Sequence, residues 1–175
     1  MTLSTTVYTT VYTTVDSPLG QLLLVGEESA TAPGGIALAS LSLPGQKGGA
    51  QVQDGWQRDD AAFAEPVAQL EKYFAGEPAG FALETTVRGT DFQRRVWAAL
   101  EAIPYGTVTT YRQIAEQAGS PAAVRAVGAA IGANPLLIVR PCHRVIGANG
   151  SLTGYAGGLP AKQHLLALEG VRTAA

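Results

Sequence analysis

TYRQIAEQAGSPAAVRAVGAAIG, residues 110–132, carries two helical patterns on either side of a glycine. Thr110 and Gln113 form a capping box, which satisfies backbone N–H groups left free at a helix start. The helix it opens carries Tyr111, Ile114 and Ala118, and Gly119 is a natural stop. Ser120-Pro121 predicts a second start, with serine as cap and proline at the first helical position. That helix runs through Val124, Val127, Gly128 and Ile131 to Gly132. Two short helices around a glycine turn match a helix-turn-helix. They match a packed helical hairpin with no nucleic-acid role equally well.

Upstream, Thr90 and Gln93 form another capping box, and Phe92, Val96, Leu100 and Ile103 recur at helical spacing. Pro104-Tyr105-Gly106 ends that helix. The first half reads as a small α+β unit. Its opening TTVYTTVYTTV, residues 5–15, repeats every four residues and alternates like a strand. Ser17-Pro18-Leu19-Gly20 predicts a turn and residues 21–25 a returning strand. Residues 26–35 read as a loop, 36–43 as a third strand and 44–58 as irregular. From residue 60 to 74, Phe63, Val67, Leu70 and Phe74 share one helical face, and Gly76-Glu77-Pro78 closes the helix. No chemistry is legible in this half.

Charge divides the chain similarly. The 175 residues carry net −2, from 12 basic and 14 acidic groups. Residues 1–87 hold 3 basic and 10 acidic side chains, whereas residues 88–175 hold 9 and 4. The halves are thus net −7 and +5, so a polyanion is steered to the second. An ordinary dipolar protein has the same imbalance. No apolar run is long enough to span a bilayer, and no secretory signal is expected. A single cysteine excludes an internal disulfide and a Cys-rich zinc site, and a cytoplasmic, reducing home is expected.

That cysteine stands in Arg140-Pro141-Cys142-His143-Arg144-Val145, after Asn134-Pro135 and a run at 136–139 that reads as a buried strand. Pro141 suits the first turn of a short helix, which places Cys142 at a helix N-terminus where the dipole favours a thiolate. His143, Arg140 and Arg144 add cationic or hydrogen-bonding support. A thiolate is a nucleophile, although most lone cysteines are buried and inert. The basic neighbourhood favours the reactive reading without saying what is attacked.

Pro141-Cys142-His143-Arg144-Val145 resembles the active-site motif of the O6-alkylguanine-DNA alkyltransferases. The likeness runs from about Gly89 to Gly170. It takes in residues 107–115 around Tyr111, Arg125-Ala126-Val127-Gly128, Asn134-Pro135, Gly154-Tyr155-Ala156-Gly157-Gly158 and residues 165–170. It implies an α+β fold: an RNase H-like unit over 1–87, then a mostly helical DNA-binding and alkyl-acceptor domain over 88–175 with a winged helix-turn-helix. It implies direct-reversal repair, with the alkyl group of O6-alkylguanine in double-stranded DNA passing irreversibly to the protein, once per molecule. O4-alkylthymine is a further candidate substrate. No cofactor, metal or membrane is implied; a monomer is expected, with clustering on DNA left open.

The resemblance also assigns roles. Cys142 would accept the alkyl group, His143 would take its proton through a water, Glu169 would orient His143, and Asn134 would brace the nucleophile turn. Tyr111 would donate to guanine N3, and Lys162 would help polarise the pocket. The Ala156 N–H would bond guanine O6, where the family often has serine. The carbonyls of Cys142 and Val145 would accept from the exocyclic amine, and Pro141 and the 154–158 loop with Tyr155 would wall the pocket. Arg125 would replace the flipped nucleotide in the stack. Ala126 and Gly128 would permit close approach in the minor groove, and some of Arg94, Arg95 and Arg112 would reach phosphates. Taken singly, Glu169 and Lys162 read as solvated helix residues, Asn134 as a helix cap and Arg125 as a phosphate contact.

Two features depart from the pattern. Arg140 stands where the family usually has an aliphatic residue, and the tyrosine–threonine repeat has no counterpart. Some relatives carry a structural zinc. With Cys142 committed and two histidines, His143 and His164, none is expected here. Three rivals stay open. A lesion sensor that flips the base without repairing it usually lacks the cysteine. A cysteine hydrolase needs a turnover route. A DNA-binding regulator would leave Cys142 incidental.

Overall fold

The computed structural model describes residues 9–78 and 80–173. Residues 5–8, the start of the tyrosine–threonine repeat, lie outside them. Strands β1 (Thr10–Ser17), β2 (Gly20–Glu28), β3 (Ile36–Ser42) and β4 (Gln57–Arg58) form one sheet in the order β3-β2-β1-β4. β1, β2 and β3 pair antiparallel, and β4 joins β1 in parallel.

The β1–β2 turn forms where Ser17-Pro18-Leu19-Gly20 predicts it. Ser17 Oγ donates to the Gly20 carbonyl at 2.7 Å, and Gly20 takes φ +96°. β2 runs three residues past its expected end, because a register shift at Val25/Gly26 keeps it paired with β3 through Glu28. Helix α1 (Ala64–Phe74) follows a 3-10 turn at Ala61–Phe63. It buries Pro66, Leu70 and Tyr73. Val67 and Phe74, expected on the core face, are only partly buried. The face is rotated because Phe63 belongs to the preceding turn, which has different periodicity.

The second half holds α2 (Asp91–Glu101), β5 (Thr109–Thr110), α3 (Tyr111–Gln117), α4 (Val124–Gly132), β6 (Val145–Ile146) and α5 (Leu159–Leu168). Both predicted capping boxes form, Thr90 with Gln93 and Thr110 with Gln113. β5 and β6 pair in parallel. The second start lies elsewhere than expected. α4 opens at Val124 without a side-chain cap, and residues 120–123 form a turn closed by Ala123 N–H to Ser120 O at 2.9 Å.

The run at 136–139 is buried, but it is not a strand. Leu136 makes a single bridge to Leu41 of β3, after which the chain turns sharply. Val139 N–H bonds Leu137 O at 2.8 Å, Arg140 N–H bonds Leu136 O at 2.9 Å, and Ile138 between them takes φ +70°. That is a γ-turn at positive φ, strained for a β-branched residue. The tertiary structure holds it there. Ile138 is 1% exposed, and Asn134 ties both ends, donating to Leu136 O at 3.4 Å and Arg140 O at 3.0 Å.

A continuous apolar core links the halves, with Leu24, Leu41, Phe63 and Leu70 from one and Val96, Leu100, Ile114, Val127 and Leu165 from the other. No helix among the described residues is long and apolar enough to cross a membrane.

Candidate active site

The strained turn delivers Pro141 and then a single 3-10 turn, Cys142–Arg144. Three residues make a negligible macrodipole, so the expected helix N-terminus does not activate the thiol. Cys142 is 5% exposed, and burial pushes its thiol above the ordinary value. The Asn134 side chain and the Lys162 charge oppose that rise without overcoming it. In the resting protein the sulfur is therefore a thiol.

An imidazole stands beside it in sequence. His143 is fully buried, and its Nε2 lies 2.6 Å from Glu169 Oε2. Burial lowers the imidazole pKa, and Glu169 only partly restores it, so the ring is neutral. The carboxyl is ionised. Burial alone would raise it, but hydrogen bonds from His143 and Arg144 outweigh that and hold it at about 2. A neutral ring facing a carboxylate carries its proton on Nε2. Nδ1, buried and without a hydrogen-bond partner among the described residues, is then the basic nitrogen.

Glu169 terminates α5, and its carboxylate gathers four donors. Besides His143 it accepts from Arg144 Nε at 2.7 Å, from Tyr73 Oη at 2.6 Å and from Gly106 N–H at 3.3 Å. Arg144 also donates to Ile103 O at 2.7 Å. The first half therefore does contribute to the site, through Tyr73 on α1. No local signal marks this tyrosine, which sits in an ordinary amphipathic helix. Glu169 is not the solvated residue that its place at a helix end suggests.

Cys142 borders a cavity of about 190 Å³ shared with Tyr111, Gly128, Ile131, Gly132, Gly154, Tyr155 and Ala156. Tyr111 Oη accepts from Thr153 Oγ1 at 3.3 Å. Three expected pocket residues lie off this cavity. Pro141 lines a separate cleft of about 450 Å³ with Phe81, Leu83 and Tyr105. Lys162 is fully buried, and its Nζ donates to Val145 O at 2.6 Å and Gly154 O at 3.0 Å. It is a strap between β6 and the pocket loop, and it occupies one lone pair of the Val145 carbonyl.

The arginines divide. Arg140 is 7% exposed, lies over Trp97 at 4.8 Å and bonds Glu101 at 2.9 Å. Trp97 in turn donates to Ala130 O at 2.8 Å, so Arg140 braces α2 against α4. Arg94 pairs with Asp91, and Arg95 lies over Phe92 and donates to Ala118 O at 3.2 Å. Arg112 and Arg125 are exposed and have no hydrogen bond or ion pair among the described residues. On α4, Ala126 is exposed beside Arg125, and a Cβ added to Gly128 would meet open space.

Two sequence models cover nearly the whole of this arrangement. One, 6-O-methylguanine DNA methyltransferase, ribonuclease-like domain, matches residues 10–87, and the other, the DNA binding domain of the same family, matches residues 91–171. The chain belongs to the 6-O-methylguanine DNA methyltransferase family. Within this family it is similar to the methylated-DNA--protein-cysteine methyltransferase of Mycolicibacterium paratuberculosis, 52% identical over 155 residues and covering 89% of each chain. The protein of that name from Methanosarcina acetivorans is 47% identical over 155 residues, covering 89% of this chain and 95% of its own. Among solved structures, the crystal structure of Mycobacterium tuberculosis OGT in complex with DNA matches with a TM-score of 0.81 and 49% identity. That match covers 91% of this chain and 92% of the other.

Proposed function

We propose that this chain repairs DNA by moving the alkyl group from O6 of a flipped guanine to Cys142 Sγ. The carrying observation is that the buried thiol opens on a small cavity while the neighbouring histidine is locked to an ionised carboxylate. The S–C bond forms as the C–O6 bond breaks, and its electron pair leaves on guanine. The thiol proton passes through a water to Nδ1 of His143, whose rising charge Glu169 stabilises. Tyr111 and the Ala156 N–H offer donors where negative charge develops on the base. The thioether has no easy hydrolytic exit, so each molecule acts once.

The α4 face suits the DNA side of the reaction. Small residues allow close backbone approach in a minor groove, and the exposed Arg125 is free to fill the space the base leaves. We take residues 1–87 as the supporting unit and 88–175 as the reacting one. The protein acts as a monomer in a reducing, cytoplasmic setting, where the lone thiol survives.

Intact-mass measurement after incubation with duplex DNA containing O6-methylguanine tests this reading. One methyl group should appear per chain and map to Cys142. Cys142→Ser should lose transfer and keep DNA affinity. Transfer to the serine variant at the parent rate would overturn the mechanism.

A further inference from the structure

Residues 41–47 of the first half bond both to the chain that leads into Cys142 and to Ala156, which lines the alkyl cavity. On one side, Leu41 N–H bonds Pro135 O at 2.9 Å and Leu137 N–H bonds Leu41 O at 3.2 Å, pinning the chain just ahead of the strained turn and Cys142. On the other, Lys47 N–H bonds Ala156 O at 3.3 Å, pinning the loop that borders the cavity. Between these anchors the segment closes on itself. Gln46 N–H bonds Leu43 O at 3.2 Å, and the Gln46 side chain accepts from Leu43 N–H at 3.0 Å.

Leu43 is the apolar centre of this clasp and is 5% exposed. Gly157 fits closely against it. A Cβ at that glycine would stand 2.8 Å from Leu43 Cδ2 and 2.9 Å from Tyr155 Cε1. Leu43 therefore packs through Gly157 on the ring of Tyr155, which borders the cavity beside Cys142. The Tyr155 hydroxyl is buried without a hydrogen-bond partner among the described residues, so no polar tether fixes that ring. Within a loop whose backbone Lys47 and Lys162 tether, packing sets where the ring stands.

We infer that the 41–47 clasp, centred on Leu43, is a specificity-determining element that sets how large an alkyl group the cavity accepts. Leu43 touches no substrate. It is a positioning residue acting through Gly157 and Tyr155. The inference rests on the alkyl-transfer reading given above. If Leu43 is shortened, the Tyr155 ring gains room to retreat and the cavity deepens. Bulky groups should then gain relative to methyl.

The test is the ratio of single-turnover rates on O6-benzylguanine and O6-methylguanine placed in the same duplex. Leu43→Ala should raise the benzyl-to-methyl ratio by about tenfold, the discrimination that methylene-scale changes in a pocket produce. Leu43→Met, which conserves volume, should return the parent ratio. Gln46→Ala loosens the turn from its outer side without opening the core, and should move the ratio in the same direction by a smaller amount. It decides the matter if Leu43→Ala fails to fold. An unchanged ratio in folded Leu43→Ala, or in Gln46→Ala where the first does not fold, overturns the inference. If the parent protein transfers neither group, the alkyl-transfer reading itself has failed.

Discussion

The hydroxyl of Tyr73 donates to Oε2 of Glu169 at 2.6 Å, across 96 residues of sequence, and meets there the same oxygen that faces His143 Nε2. A helix of the first half thus helps hold the carboxylate that faces His143. Tyr73→Phe removes one charge-assisted hydrogen bond and leaves the ring packing intact. It should cost about 2 kcal/mol of stability. Transfer should slow only a few-fold, since Arg144 still holds Glu169. Denaturant midpoints and single-turnover rates check both values.

Glu169 also makes stability depend on pH. Its carboxyl sits at about 2, below the ordinary 4.5, so folding favours the ionised form. The contribution, about 3 kcal/mol, is fully present above the ordinary value and is lost as pH falls toward 2. Glu169→Gln should remove this dependence and destabilise the protein at neutral pH, because Arg144 keeps a buried charge without its partner. Thermal unfolding from pH 7 down to 3 distinguishes the two curves.

The reaction itself should depend on pH far less steeply than that of an unassisted thiol. Burial raises the Cys142 thiol and lowers the imidazole, so at neutral pH the pair is thiol and free base. The parent rate should be nearly flat through neutrality and fall in acid, as His143 gains a proton. His143→Phe should be slower throughout and track the thiolate fraction, rising about tenfold per pH unit below the thiol pKa. Matching pH profiles for the two proteins would remove His143 from the relay.

Arg125 is exposed on α4 with no protein partner among the described residues. If it fills the stack after flipping, its loss should matter only where there is a stack. Arg125→Ala should react with duplex O6-methylguanine at least about tenfold more slowly, the scale of a lost unstacking contribution. It should react with free O6-benzylguanine near the parent rate. Equal losses on the two substrates would contradict the finger role.

Affinity for undamaged DNA should fall steeply with salt, because phosphate contacts release counterions, and it should vary little with sequence. Among the arginines, Arg112 is exposed without an ion pair among the described residues, whereas Arg94 is paired and Arg95 is tied to Ala118. Arg112→Ala should therefore flatten the salt slope by about one unit and Arg95→Ala by less. Charge reversal at Glu71 or Glu77 should leave it alone. Anisotropy titrations across a salt series decide the order.

Features set by neighbouring residues are legible in the sequence. The two capping boxes, the Ser17–Gly20 turn and the helix pair each depend on residues within a few positions of one another. Where a local cue competed with a tertiary one, the cue misled. Ser120-Pro121 has the chemistry of a helix start, yet α4 begins at Val124. The residues at 136–139 have the composition of a strand, yet Ile138 turns at positive φ with no glycine or asparagine to announce it. Burial of Ile138, the Asn134 bonds and the β3 bridge hold that turn, and all three depend on residues outside the segment.

By itself the sequence determined the reactive-looking Cys142 motif, its histidine neighbour and the small-residue helix, because each is a matter of residue type and short spacing. The tertiary structure alone decided what those residues became. Burial made Cys142 a thiol instead of a dipole-activated thiolate. It turned Lys162 into an internal strap and gathered Tyr73, His143 and Arg144 on one carboxylate. The reason is physical: the charge state of a group depends on its desolvation and on every dipole around it, and residues scattered along the chain supply those only once it has folded.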